Sequence, residues 1–269
     1  MTGRFKSEQW ALILGGSSGF GLAAAKRLAQ GGMSIGVVHR DRRGRLPQVE
    51  AEFEQIRATG AKLVTFNADA LEPATQRQIV AQLKDELGEG RVRVLLHSIA
   101  YGNLKPLVSP DADATTGLVL EDEDFSQTVY AMGTSLASWT RLLFVAGLFA
   151  SDARVLGLTS EGNQLAWRTY AAVSAAKATL EAVARSIAVE YGPHGIRCSV
   201  LQPGVTDTPA LRLIPGFERM LSRAQQRNPL RRLTTAEDVA GVIALLCSDE
   251  ARWINGAIIR VDGGEAIAG

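Results

Sequence analysis

The run Trp10-Ala-Leu-Ile-Leu14 is apolar and of strand length, and a glycine-rich stretch, Gly15-Gly-Ser-Ser-Gly-Phe-Gly21, follows it at once. A helical pattern, Leu22-Ala-Ala-Ala-Lys-Arg-Leu-Ala29, comes next. Strand, glycine turn and helix in that order constrain the chain more than any other feature, because they fit the opening of a βαβ unit. In such a unit Gly15 permits the sharp turn, Gly19 lets a ligand approach the backbone, and Gly21 lets helix and strand pack. The helix N-terminus presents free N–H groups and the positive end of its dipole, which suits a pyrophosphate. Ser17 and Ser18 add hydroxyl donors, and Phe20 lies in the same turn.

The alternation continues. Strand-like apolar runs recur at 34–39, 62–66, 92–97, 154–158, 197–201 and 257–261. Helical patterns separate them, at about 47–59, 73–87, 125–149, 170–190 and 235–247. Seven strand-like runs interleaved with helices predict an α/β fold: a Rossmann-type doubly wound parallel sheet with helices on both faces, in a single domain. The long pattern from 125 has apolar residues on more than one face, which predicts burial against a partner subunit. From 103 to 124 periodicity is weak, and Pro106 and Pro110 interrupt it, so a loop over the site mouth is expected. The mixed apolar and basic stretch at about 205–228 contains Pro215-Gly216 and is expected to form a mobile substrate lid.

Net charge is +1, so no strong field draws nucleic acid or an anionic membrane. Apolar runs stop well short of a membrane span, and the first residues carry no apolar signal core. The expectation is a cytoplasmic protein, with Cys198 and Cys247 as buried free thiols. No Cys, His and Asp cluster has metal-ligand spacing, so no metal is expected.

Two further places carry chemistry. The first residue beyond the second strand is Arg40, with Arg42 close behind. An Arg at that point accommodates a 2′-phosphate, whereas an acidic residue accepts from a free 2′-OH. Arg40, with Arg42 second, favours NADPH over NADH; Asp41 points the other way. The other place is Tyr170-Ala-Ala-Val-Ser-Ala-Ala-Lys177. Residues seven apart on a helix lie ~10 Å apart on nearly one face. A phenol and an ammonium then share one cavity, and the cation is expected to lower the phenol pKa.

The Gly-x-x-x-Gly-x-Gly spacing, Asp69, Pro203-Gly204 and the Val261-Asp-Gly-Gly264 ending resemble, in order, the short-chain dehydrogenase/reductase superfamily. Most members carry Tyr-x-x-x-Lys, but Val173 stands four residues before Lys177. The Tyr-x6-Lys spacing instead resembles the enoyl-acyl-carrier-protein reductases. So do Leu96-His-Ser-Ile99, Lys177-Ala-Thr-Leu-Glu181 and Arg231-Arg-Leu-Thr-Thr-Ala-Glu-Asp-Val239. The best-known of those have an altered glycine loop and a second Tyr where this chain has Ser160. The combination resembles a minority, NADPH-using branch.

The resemblance implies the remaining roles. Asp69, with Ala70, serves the adenine, or Asp69 is a helix cap. The backbone at Ser98, Ile99 and Ala100 lies against the nicotinamide ribose. Pro203, Gly204, Val205, Thr206 and Thr208 serve the carboxamide and phosphate edge. Lys177 holds the ribose hydroxyls and Tyr170 the substrate oxygen. Ser160 either assists at that oxygen or is a remnant. Tyr101, Leu211, Ile214 and Phe217 face the substrate, a trans-2-enoyl thioester on acyl carrier protein. A homotetramer is implied, with a dimer as the alternative. Two rival readings stay open: a reductase of carbonyls or other conjugated enones, and a Rossmann-fold protein that binds nucleotide without catalysis.

Overall fold

The computed structural model describes residues 4–109 and 119–268. Among them lies one seven-stranded parallel sheet in the order β3-β2-β1-β4-β5-β6-β7. The strands are β1 (Gln9–Leu14), β2 (Ser34–His39), β3 (Leu63–Asn67), β4 (Arg91–His97), β5 (Phe149–Leu158), β6 (Ile196–Pro203) and β7 (Ile258–Val261). The described helices are α1 (Gly19–Gln30), α2 (Leu46–Arg57), α3 (Pro73–Leu87), α4 (Asp122–Val129), α5 (Ser135–Val145), α6 (Ala171–Glu190), α7 (Phe217–Arg227) and α8 (Ala236–Leu246).

Strand pleating sorts alternate side chains to the two faces. Ala11 and Ile13 of β1 pack with residues of α1, α2 and α8, while Trp10, Leu12 and Leu14 pack with residues of α3, α5 and α6. Order reverses between β1 and β4, and the crevice at the carboxyl ends of strands on either side of such a switch point is where open α/β sheets bind ligands.

The expected single helix at 125–149 is corrected in two ways. A π-helical turn, Tyr130–Thr134, joins α4 to α5. Within it Gly133 lets α6 come close: a Cβ there would lie 3.0 Å from the Ala176 carbonyl oxygen. The helix then stops at Val145, because Gly147 takes a left-handed φ of +67° just past its end. Phe149 consequently opens β5 rather than closing the helix. Val145 and Val189, on α5 and α6, are 78% and 75% exposed in the single chain. The loop expected at 103–124 is present at its described ends, but 110–118 lie outside the described residues, and α4 already begins at Asp122. No helix among the described residues is long and apolar enough to cross a membrane.

Candidate active site

Two adjoining cavities lie at the carboxyl ends of the strands. The first, about 350 Å³, runs from the glycine turn past Arg40 and Asp69 to Ser98, Ile99, Ala100 and Tyr101. Its floor depends on two glycines. Gly15 has φ +81°, and a Cβ on it would lie 2.5 Å from the Ser98 carbonyl oxygen. A Cβ on Gly21 would lie 2.2 Å from the Gly15 carbonyl oxygen. Ser18, the N-cap of α1, makes no side-chain cap bond, and the first turn holds no acidic residue. The first N–H groups of α1 and its dipole are thus left for an anion. A cradle this close, beside a bare helix N-terminus, fits a dinucleotide pyrophosphate.

At the far end of that cavity Arg40 donates to Asp69 at 2.6 Å and lies over the Tyr101 ring, 5.1 Å from its centroid. Asp69 also accepts from the Leu71 amide, while Glu72 caps α3. Asp69 therefore borders the cavity and is not the helix cap. Asp41 is turned inward, bonded to the His39 ring at 2.9 Å and 3.4 Å from Arg45. Burial alone would raise its pKa, but Ser17, His39 and Arg45 together hold the carboxyl below its ordinary range. Asp41 is thus already engaged and does not line the cavity, which Arg40 does. Arg42 is exposed and outside it.

The second cavity, about 210 Å³, contains Ser160, Tyr170 and Lys177 with an apolar surround including Leu104, Met132, Trp167, Val173, Leu211, Leu213 and Ile214. Phe20, Ala100, Thr208, Ala210 and Leu213 border both cavities, so the two are continuous. Pro203, Gly204, Val205 and Thr206 line the second.

Tyr170 is not the first helical residue expected from the spacing but the N-cap of α6, with φ −110° and ψ 3°. Its ring is held between two partners the sequence did not reveal. Trp167 packs at 5.2 Å between centroids, and Gly162 is so close that a Cβ on it would lie 2.4 Å from the ring. Thr169, immediately before, has φ +63°, a strained value for a β-branched residue. The phenol oxygen lies 3.4 Å from Ser160 Oγ.

Burial pushes the Tyr170 pKa up, and only the Ser160 hydrogen bond opposes it. The expectation that Lys177 lowers it is thus not met. The Lys177 ammonium donates to the Leu158 carbonyl at 2.9 Å. Burial pushes its pKa down to about 8, against the charge of Glu181 one turn on. Glu181 accepts from Thr159 and Asn163, tying the end of β5 to α6. His97 is buried with its ring 2.7 Å from Ser135 Oγ. Burial and the charge of Lys177 take its pKa down to about 3, so it is a neutral prop under Ser98.

Most predicted residues therefore converge on one crevice. Two proposed substrate contacts do not line the second cavity. Tyr101 lines the nucleotide cavity beneath Arg40. Phe217 is half-buried but lines neither cavity, although Leu211, Leu213, Ile214 and Met220 of the same segment line the second.

A sequence-family profile described as "Enoyl-(Acyl carrier protein) reductase" matches residues 15–265. Among curated relatives, a tropinone reductase homologue of Arabidopsis thaliana is 26% identical, over 96% of this chain and 91% of its own. "Enoyl-[acyl-carrier-protein] reductase [NADH] 2" of Rhizobium meliloti is 31% identical, over 94% of this chain and 90% of its own. Among solved structures, the enoyl-[acyl-carrier-protein] reductase (NADH) of Aquifex aeolicus superposes with a TM-score of 0.81 at 26% identity, covering 97% of each chain. With the cradle at Gly15 and Gly21 and with Tyr170 and Lys177 in one cavity, the chain belongs to the short-chain dehydrogenase/reductase superfamily and is an oxidoreductase that binds a nicotinamide cofactor.

Proposed function

We propose that this enzyme reduces the 2,3 double bond of a trans-2-enoyl thioester, presented by acyl carrier protein, with NADPH. One observation carries the reading. The phenol that borders the apolar cavity with Lys177 belongs to Tyr170, while Val173, four residues before Lys177, has no proton to give. In a ketone the carbon that is reduced also bears the oxygen. In a conjugated thioester the oxygen is two carbons further along, and its donor must stand elsewhere.

A reduced nicotinamide held in this crevice would supply the hydride. Tyr170 donates a hydrogen bond to the thioester oxygen, where negative charge gathers as the double bond is reduced, and this preorganised donor stabilises the enolate-like transition state. Its raised pKa keeps the phenol protonated at neutral pH, as a donor must be. Ser160, 3.4 Å from the phenol, is the second hydroxyl at that oxygen. Lys177, which borders the second cavity, would hold the nicotinamide ribose hydroxyls. The lid residues Leu211 and Ile214 exclude water around the acyl chain. Arg40, facing the cavity where Asp41 does not, supports NADPH.

Turnover of crotonyl thioester against acetoacetyl thioester with NADPH tests the substrate. Enoyl reduction without keto reduction is expected, with a Tyr170→Phe variant at least tenfold slower and NADPH affinity unchanged. Efficient keto reduction that Tyr170→Phe leaves untouched would refute the reading. The protein is further proposed to be cytoplasmic and a homotetramer, the assembly supported by exposed Val145 and Val189 on adjoining helices and by Trp253, 93% exposed. A monomeric mass by light scattering at micromolar concentration would overturn the assembly.

A further inference from the structure

One charged cluster beside the site is used by none of these steps. Arg227, the last residue of α7, donates to Glu161 at 2.6 Å and to Glu265 at 3.0 Å. Glu161 directly follows Ser160 and borders the second cavity. Glu265, almost wholly buried beyond β7, accepts from the Val205 amide at 3.0 Å with its other oxygen. That oxygen presses on the same turn, since a Cβ on Gly204 would lie 2.7 Å from it. One guanidinium thus joins three segments: the lid helix, the turn that carries Ser160, and the backbone after β6.

The two ends of the lid are held differently. At the Arg227 end, the buried Asn228 also donates to the Asp262 carbonyl at 2.8 Å. At the other end, Gly216 is exposed with φ +79° and open space around it, and the Asp207–Arg212 pair is exposed. Exposed pairs hold little, whereas a partly buried cation between two carboxylates, one of them almost wholly buried, cannot leave without stranding that buried acid. Burial raises the Glu265 pKa and the charge of Glu161 adds to the rise, so the two acids repel once the cation is gone.

We propose that Arg227 is a positioning residue of this active site: its paired contacts with Glu161 and Glu265 fix the lid helix over the cavity and hold the Ser160 turn and the Val205 backbone in register with it. The proposal rests on the nucleotide-dependent reading of the crevice for its kinetic effects and on the ion pairs alone for its effect on the lid.

The test uses the full-length protein carrying Arg227→Met. Hydrogen exchange followed by mass spectrometry should show α7 peptides losing at least tenfold in protection without ligand, with α1 and α8 peptides unchanged. NADPH affinity by fluorescence titration should fall at least threefold. KM for crotonyl thioester should rise at least tenfold while kcat changes less than threefold. Both bonds leave one guanidinium nitrogen, so Arg227→Lys, which keeps the charge on a shorter side chain, should fall between wild type and Arg227→Met. Combining Arg227→Met with Glu161→Gln should raise KM by less than the product of the single effects. Unchanged α7 protection, or multiplicative effects on KM, overturns the proposal. If Arg227→Met does not fold, Glu161→Gln and Glu265→Gln replace it: loosened α7 in either supports the proposal, and unaltered α7 in both overturns it. If wild type turns over no enoyl thioester, the substrate reading fails, while exchange and NADPH titration still decide the role of Arg227.

Discussion

Lys177→Met is expected to stabilise the ligand-free protein at pH 7 while removing its activity. Lys177 is 8% exposed, and its ammonium donates to the Leu158 carbonyl and has its pKa pushed from 10.5 down to about 8 by burial. That fall corresponds to about 3 kcal/mol of folding stability withheld while the group is charged. Methionine has a similar length and no charge. It leaves the Leu158 carbonyl without its ammonium partner, a loss of about 1–2 kcal/mol. Glu181 keeps its bonds from Thr159 and Asn163, so it is not orphaned. The net gain at pH 7 is about 1–2 kcal/mol, or several degrees in Tm for a chain of this size.

The pH dependence gives the decisive sign. Between about 8 and 10.5 the unfolded chain binds the Lys177 proton and the folded one does not, so wild-type stability rises with pH through that window. The variant lacks this rise. Urea unfolding of both proteins without ligand, at pH 7 and near pH 10.5, should show the variant ahead at pH 7 and behind at the higher pH. A variant that is less stable by the same amount at both values would refute the electrostatic origin.

Arg40→Ala should weaken NADPH at least tenfold and NADH by less than threefold in fluorescence titrations; equal losses would make Arg40 a solvated side chain. Gly21→Ala puts a methyl 2.2 Å from the Gly15 carbonyl oxygen, so loss of dinucleotide binding and about 1–3 kcal/mol of stability is expected in titration and thermal melts. Val173→Tyr should not give a carbonyl reductase with rates near those of the wild-type reaction. A Cβ on Gly102 would already lie 3.3 Å from Val173, which borders the second cavity, so the new ring either crowds that loop or fills the space the substrate needs; efficient acetoacetyl thioester reduction by the variant would disprove this.

The fold was legible because each level of the sequence agreed with the next. Apolar runs of strand length alternated with helical patterns, and the glycine turn at Gly15–Gly21 tied the first strand to a nucleotide cradle. Boundaries slipped where a single residue outweighed periodicity. Gly147 ends α5 within a stretch whose apolar pattern continues to Phe149, and the π-helical turn at Tyr130–Thr134 depends on the approach of α6, which no local pattern records. The site was legible where chemistry and chain position coincide, as at Arg40, Asp69, Ser160 and Lys177. It was not legible where a long-range contact decides a residue's role. Tyr101 follows the β4 turn like a substrate contact but stacks with Arg40. Glu161, Arg227 and Glu265 lie 66 and 38 residues apart and meet only in the fold. The signal that could have found them was Glu265, a residue type rarely buried unless paired, in the Val261–Gly269 ending, where Asp262 is the other charged residue.

The position of Tyr170 carries the functional reading, and helix geometry alone does not fix it. Three residues along a helix amount to ~4.5 Å of rise, enough to follow an oxygen moved two carbons along a conjugated chain. Tyr170, however, is the cap before α6 and not part of its regular turns. Its phenol direction is set by the strained Thr169, by the ring of Trp167 and by the absent side chain at Gly162. These three residues make the phenol a fixed donor in an apolar wall, with Ser160 as its nearest polar neighbour in the cavity. A donor fixed in advance stabilises developing charge without reorganising at the moment of reaction, which is what an oxyanion site requires. The same burial raises the phenol pKa and so opposes full proton release. Tyr170 is therefore better suited to hydrogen-bond the developing enolate oxygen than to act as a tyrosinate base, and this fits reduction of a conjugated thioester more closely than oxidation of an alcohol.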